Sequence, residues 1–461
     1  MKKSRLLVVG VVAAALGALP VAFAIGASTA SSGLSTQDLA LIGGVIQLVQ
    51  RDYVHPVSAG ELTDDALKGM LTRLDPHSDY MNQEEFEETQ SDISGKFGGL
   101  GIQISEQNGV PKVISPIDGT PAAKAGIQPG DLIVSIDGKS TQGQSLNKIV
   151  SVLRGDPDTK VTISILRGNK APFDVPLTRQ IISVDTVKSN LEANNIGYVR
   201  VTEFGEATPT DFKKAVNNLK QKAGGHLNGL VLDLRNDPGG LLTSAVSLAG
   251  DFLDSGKVVT IRGRRSDDQQ AFNVPDGGML LPQETPIVVL INGASASASE
   301  IVAGALQDRH RATIMGTQSF GKGSVQTVIP LKGHGALRLT TALYYTPNGR
   351  SIQGEGITPD NVVEAPKDQQ VSGGLELSEN SLQGAFANPG TLNTPAPAAG
   401  ASTPTTGNKT DGKPVYSAPI KIDLIGTPGD AQLKAAMAFL DKGHKTTTGE
   451  GQAPQAQNPK P

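Results

Sequence analysis

The sequence contains no cysteine. That absence excludes a disulfide framework, a thiolate metal site and a cysteine nucleophile. Tryptophan is absent too, and aromatics make up only 4% of the 461 residues, so a core has to be built from Val, Leu, Ile and Ala. Histidine is scarce: His55, His77, His226, His310, His334 and His444 are the whole set. No two of them stand at the i, i+4 spacing of a helical metal site, so no metal or other cofactor is expected. A strong charge bias is also missing. The formal net charge is −4 and no basic stripe is present, so no nucleic-acid partner is expected.

Glycine is abundant, at 54 residues, which implies many special backbone positions. The length suffices for two or three domains. Residues 1–30 stand apart. Lys2, Lys3 and Arg5 precede a nearly unbroken apolar run from Leu6 to Ala27, with Ala22-Phe23-Ala24 in the small-x-small form of a cleavage site. The run is also long enough to span a bilayer. A cleaved signal peptide and an uncleaved membrane anchor both fit. Either one predicts export, to the periplasm or the periplasmic face of an inner membrane, with any membrane association made through the N-terminus.

Residues 31–92 read as a helical region. Leu39, Ile42, Val45, Ile46 and Val49 make one apolar face, and Leu62–Leu74 follows with Thr63 and Asp64 as caps. Asp75-Pro76-His77-Ser78 is a turn. Two such helices cannot bury their own stripe, so they should pack on another domain or on a second copy in a homo-oligomer.

Residues 93–178 change character. Gly99-Leu100-Gly101-Ile102 leads into a strand, and a turn follows at Asp118-Gly119. Gly130-Asp131-Leu132-Ile133 opens the strand Leu132–Ile136, a helix is expected over Leu146–Leu153, and another strand over Val161–Leu166. This stretch resembles a PDZ domain. The resemblance makes Gly99, Leu100, Gly101 and Ile102 the loop whose backbone N–H groups cradle a peptide's terminal carboxylate, the peptide adding as a strand alongside.

Residues 179–365 alternate strands (Ile196–Val201, Leu230–Leu234, Ile287–Ile291) with helices (Thr210–Lys222, Leu241–Leu253, Ser297–Gln307). Strand, turn and helix repeated is the pattern of an α/β domain. Residues 366–415 lack periodicity and read as a disordered Pro/Ala/Thr-rich linker. Residues 416–444 carry a short helix with Ala431, Leu433, Ala436, Phe439 and Leu440 on one face, capped near Gly443. Residues 445–461 read as a disordered tail.

The segment Ala294-Ser295-Ala296-Ser297-Ala298-Ser299-Glu300 follows a buried strand and opens a helix. A side chain there lies beside unpaired helix N–H groups and the positive end of the dipole, where an activated oxygen is best supported. Ser297 with Glu300 is equally a capping-box pattern, and spacing alone excludes neither Ser295 nor Ser299. His310 falls in a charged helix end and His334 in a hairpin tip, so neither reads as a base. Lys322 stands between Gly321 and Gly323 in a mostly uncharged neighbourhood. Lysine acts as a base only when neutral, a state that burial favours.

Taken together, Asp75-Pro76-His77-Ser78, the PDZ-like block, Asp233-Leu234-Arg235-Asn236-Asp237-Pro238-Gly239-Gly240, the SASASEI segment and Phe320-Gly321-Lys322-Gly323-Ser324-Val325-Gln326 resemble the carboxy-terminal processing peptidases, the tail-specific serine proteases. The resemblance implies a crotonase/ClpP-like α/β protease core with an inserted PDZ domain and an N-terminal helical region. It implies Ser297 as nucleophile, Lys322 as general base, Gln326 as the residue orienting that lysine, and Asp308 as a residue needed near the site. Oxyanion donors would be the N–H of Ala298 and of a glycine in Gly239-Gly240. Substrates would be proteins or peptides with free C-termini. Asp237 departs from the family's usual Asn. For Gln326 to reach Lys322 the chain has to bend near Gly323, because four residues of strand span about 13 Å. Two other readings stand beside this one: a catalytically inactive PDZ-bearing scaffold at the envelope, and a crotonase-like acyl-thioester enzyme, which would lack both the PDZ module and the export signal.

Overall fold

The computed structural model describes residues 34–390 and 419–448, apart from 108, 118, 145, 169, 184, 266 and 372–377. The leader expected over residues 1–30, Asp118 of the Asp118-Gly119 turn, most of the expected linker and residues 449–461 of the expected tail lie outside the described residues, whereas residues 445–448, expected as tail, continue the C-terminal helix. Among the described residues no helix is long and apolar enough to cross a membrane.

Three helices, Thr36–Asp52, Ala59–Thr72 and Gln83–Ser94, form the N-terminal region. The second begins earlier than expected. Ser58, not Thr63 or Asp64, is its cap: its hydroxyl accepts the Glu61 N–H, and Glu61 accepts the Ser58 N–H at 2.9 Å. A reciprocal box satisfies two orphan donors where a lone side chain satisfies one. The apolar stripe of the first helix stays open, with Leu39 58%, Ile42 51% and Val45 50% exposed.

Residues 96–183 fold into a β-domain. Its sheet runs Ile102–Gln107, Val110–Pro116, Leu132–Ile136, Lys160–Leu166, Phe173–Thr178, with the helix Leu146–Leu153 packed across it. Strand periodicity turns Val161, Ile163 and Ile165 inward onto Ile133 and Ile149. Ile102–Gln107 is an edge strand of that sheet.

The core sheet has six strands in the order Val187–Glu192, Ile196–Val201, Gly229–Asp233, Ile287–Ile291, Thr313–Gly316, Asn361–Val362, parallel after the first pair. The central strands are buried along their whole length, so both faces need cover. Val199, Leu230, Leu232 and Val289 face the helices Thr208–Lys222, Leu242–Gly250 and Ala298–Asp308. Tyr198, Val231, Val288 and Leu290 face the C-terminal helix Ala431–Thr448 through Leu433, Ala436 and Leu440. Phe439, expected on that face, is 41% exposed. A second, antiparallel sheet joins the turn-proximal strand Asp79–Met81 to Ala336–Tyr345, which also pairs with Ser324–Pro330.

The expected linker is corrected in part. Residues 367–371 and 378–390 are placed against the core: Asn380 Nδ2 donates to Gly354 O at 2.6 Å, Asn388 Nδ2 to Gln353 O at 2.8 Å, and Glu379 is fully buried. This strap has no apolar periodicity because it is held by polar side chains on backbone carbonyls rather than by an apolar face.

Candidate active site

The strand Ile287–Ile291 ends in a turn that delivers Ser297 immediately before the helix Ala298–Asp308. Ser297 has φ 56° and ψ −112°, a backbone conformation ordinarily left to glycine and costing roughly 1–3 kcal/mol. The three serines of the segment separate by burial. Ser295 is fully buried, donating to Leu234 O at 2.7 Å and accepting the Asn292 N–H at 2.9 Å. Ser299 is fully buried and donates to Asp237 O at 3.1 Å. Only Ser297 is reached by solvent. Its Oγ accepts the hydroxyl of Tyr344 at 2.8 Å. Tyr344 is buried, which pushes its phenol above the ordinary value, so it stays a donor.

Glu300 ties this turn to the lysine loop. Its Oε2 accepts the N–H of Ser297 at 2.8 Å and of Lys322 at 2.9 Å; its Oε1 accepts the Gly321 N–H at 2.7 Å and the Ser319 hydroxyl at 2.5 Å. Burial pushes its carboxyl up to about 7 against those four donors. The capping-box spacing was therefore half the story: Glu300 caps, and it also fixes the loop that carries Lys322. Phe320 N–H donates to Ser295 O at 3.0 Å and adds a second tie. Burial lowers the Lys322 ammonium below the usual lysine value; Glu379 opposes this, Arg338 adds to it, and Glu300 and Asp75 oppose it more weakly. Lys322 Nζ makes no hydrogen bond among the described residues.

Ser324–Pro330 is a strand and Gln326 lies within it. The carboxamide of Gln326 donates to Ser324 Oγ at 3.0 Å and Thr340 Oγ1 at 3.2 Å, and makes no hydrogen bond to Lys322 among the described residues. Asp308 is corrected. It sits at the opposite end of its helix from Ser297, about 16 Å away at 1.5 Å per residue. There it binds Arg350 at 2.7 Å and the Asn348 N–H at 2.9 Å, a tie between helix end and hairpin.

The Gly239-Gly240 turn presses on the Ser297 turn: a Cβ at Gly239 would stand 2.7 Å from Ser297 Cβ and 2.8 Å from Ala298 N, and one at Gly240 2.4 Å from Phe204 O. Gly239 N–H is already spent on Asp237 Oδ1 at 2.8 Å, whereas Gly240 N–H and the helix-opening Ala298 N–H remain without an acceptor among the described residues. Asp237 therefore faces the glycine turn rather than away from it. Its Oδ2 is buried with no hydrogen-bond partner among the described residues, and burial holds the carboxyl well above its usual range over the opposing Gly239 N–H.

Gly99, Leu100, Gly101 and Ile102 line a cavity of about 110 Å³ in the β-domain, together with Phe97, Ile104, Val150, Leu153 and Arg154. The loop is held by Ala122 N–H on Leu100 O at 3.0 Å and Ile117 N–H on Gly101 O at 2.8 Å. It opens beside the edge strand Ile102–Gln107, whose free side suits an added peptide strand. Among the described residues no His/Cys/Asp/Glu cluster of metal-binding form occurs.

Sequence reasoning missed Tyr344 and Glu379. Tyr344 lies in no motif singled out in the sequence, and Glu379 falls in the expected linker.

A strained strand-turn-helix serine beside unpaired N–H groups, on an α/β sheet carrying a peptide-binding β-domain, is the architecture of a serine hydrolase acting on peptides. Comparison with known proteins is specific. Peptidase family S41 matches residues 195–363, a PDZ domain residues 112–167, and the activating protease CtpB N-terminal domain residues 23–85. The chain is 50% identical over 351 residues to a carboxy-terminal-processing protease of Bartonella bacilliformis, covering 76% of this chain and 80% of that one. It is 35% identical over 343 residues to the carboxy-terminal processing protease CtpA of Bacillus subtilis, covering 74% and 72%. A solved photosystem II D1 C-terminal processing protease aligns with TM-score 0.42 and 29% identity over 72% of this chain and 94% of that one. The chain belongs to the carboxy-terminal processing proteases of peptidase family S41. It is a serine-type peptidase with a PDZ domain, and its substrates are peptides or proteins.

Proposed function

We propose that this chain is an exported endopeptidase with a Ser297–Lys322 dyad, cleaving proteins in or near their C-terminal region after the PDZ domain has taken the free C-terminus. The observation that carries the dyad is the shared carboxylate: one oxygen of Glu300 holds the backbone N–H of both Ser297 and Lys322. Of the three serines, Ser297 alone is accessible, and burial favours the neutral amine that a base requires.

The Ser297 hydroxyl gives its proton to neutral Lys322 as Oγ, still accepting the Tyr344 hydroxyl, attacks the peptide carbonyl. The N–H groups of Ala298 and Gly240 receive the oxyanion. Lys322 returns the proton to the leaving amine, an acyl-serine remains, and water activated by Lys322 hydrolyses it. Gln326 acts on Lys322 through Thr340 and the surrounding strand pair rather than by direct contact. Activity rises with pH as Lys322 loses its proton.

The Leu100, Ile104, Val150 and Leu153 walls of the PDZ cavity suit an apolar C-terminal side chain. Export rests on the sequence of residues 1–30, and a reporter fusion active only outside the cytoplasm tests it. Homo-oligomer formation rests on the open stripe of Thr36–Asp52, and sedimentation of the wild type beside Ile42→Glu tests it. The dyad is tested with Ser297→Ala and Lys322→Ala on one unstructured protein. Both should lose cleavage with Ser295 and Ser299 intact; retained activity in either sinks that assignment.

A further inference from the structure

The turn Asp75-Pro76-His77-Ser78 comes from the N-terminal region, before the PDZ domain, and the strap carrying Glu379 comes from beyond the core. They meet beside the lysine loop. His77 Nε2 stands 2.9 Å from both oxygens of Glu379, whose side chain is fully buried. Glu379 is bracketed onto the loop from two sides. Its N–H donates to Phe320 O at 2.9 Å, two residues before Lys322. Its Oε1 accepts Gln353 Nε2 at 3.0 Å, and Gln353 Oε1 accepts the Gly323 N–H, one residue after Lys322, at 3.0 Å. The same turn reaches the base a second way. Asp75 accepts the Ser78 hydroxyl at 2.6 Å and Thr340 Oγ1 at 3.0 Å, and Thr340 Oγ1 accepts Gln326 at 3.2 Å.

We propose that Glu379 and His77 are positioning residues of the base: a buried carboxylate–imidazole pair, one partner from each flank of the core, that sets the charge field in which Lys322 holds its proton. The inference rests on the dyad proposed above and deepens it. The charged groups facing Lys322 are Glu379 from the strap, Arg338 from the strand Ala336–Tyr345, Glu300 from the helix and Asp75 from the turn. Glu379 is the strongest of these, and its charge also reaches Tyr344. In a poorly solvated site a single buried carboxylate stabilises the ammonium strongly. A ring N–H of His77 donating to that carboxylate drains part of its charge and so limits the effect. The base is thus complete only when the N-terminal turn and the strap are both docked.

The two partners should act with opposite sign on one observable, the acid limb of kcat/KM against pH, measured with the full chain on an unstructured peptide. Glu379→Gln keeps the shape and the Gln353 contact but removes the negative charge, so Lys322 loses its proton more readily. The limb should move to lower pH by about half a unit or more. His77→Ala leaves the carboxylate undiminished, so the limb should move to higher pH. His77→Gln, which restores an N–H donor, should bring it back toward the wild type. The double variant His77→Ala/Glu379→Gln should match Glu379→Gln alone, because His77 acts through Glu379. A merely structural pair would lower the rate without moving the limb in opposite directions. Limbs that stay in place, or that move the same way, overturn the inference while Lys322→Ala is inactive. An active Lys322→Ala instead overturns the dyad itself.

Discussion

The hydroxyl of Tyr344 donates to Ser297 Oγ at 2.8 Å, across 47 residues of sequence. The phenol therefore stands on the atom proposed to attack the substrate. It can stabilise the alkoxide character that develops as the proton leaves, and burial keeps it protonated through the working pH range. A hydrogen bond to a charged oxygen contributes roughly 1.5–3 kcal/mol. Tyr344→Phe should lower kcat by about 10- to 100-fold with little change in KM. Steady-state kinetics on an unfolded substrate checks this; a rise in kcat would mean that the phenol restrains the serine instead.

Glu300 makes a stability prediction with a definite sign. Its carboxyl is raised from 4.5 to about 7, so between those values the folded state binds more protons than the unfolded state. Stability from this group is full below pH 4.5 and is lost as pH rises through 7, a change on the order of 3 kcal/mol. Asp251, raised to about 6 by burial, pushes the same way. Glu300→Gln should be less stable overall, because an amide nitrogen would face N–H donors. It should also show a shallower fall in midpoint between pH 5 and 8 than the wild type, read by denaturant titration across pH.

Asp237 occupies the turn proposed to front the oxyanion, with one oxygen on Gly239 N–H and the other without a partner among the described residues. Burial favours its neutral form, which is close in shape and charge to an amide. Asp237→Asn should keep kcat within about threefold of the wild type and gain stability at neutral pH. Asp237→Ala removes the acceptor for Gly239 N–H and should reduce kcat at least about tenfold, as expected when an oxyanion turn loses its anchor. Parallel kinetics on the two variants separates anchoring from charge.

The C-terminal helix is wired to the same region by a buried ion network. Arg235 is fully buried and binds Asp233 at 2.5 Å and Asp430 at 2.6 Å, while Tyr198 donates to Asp233 at 2.8 Å. Asp430→Ala leaves the guanidinium without one of its two carboxylate partners, and breaking a buried pair from one side costs about 3–5 kcal/mol. Equilibrium denaturation should show that loss. Activity should fall with it, because Arg235 is in the segment that leads to Gly239.

Much of the architecture was legible in the chain. Phe212, Ala215, Val216 and Leu219 read as one helical face and are all buried. Ile196–Val201 and Ile287–Ile291 read as strands with those same bounds. Such elements are specified by neighbours a few residues apart, where periodicity acts directly. The serine segment, Lys322 and the loop of residues 99–102 were picked out through their resemblance to family motifs, which are short runs of residues adjacent in the chain.

Tertiary structure decided what local spacing leaves degenerate. Three serines share one segment, and only the packing of Ser295 on Leu234 and Ser299 on Asp237 removes two of them. Asp308 shares the helix of Ser297 but lies three turns away, which motif adjacency cannot convey. Gly239 and Gly240 look equivalent until Asp237 takes the N–H of one. The contact of His77 with Glu379 spans 302 residues, and Glu379 sits in a strap with no periodic signal. Hydrophobic and turn patterns report on the chain's own next few residues. The charge field around a base is made by groups that become neighbours only when the chain has folded.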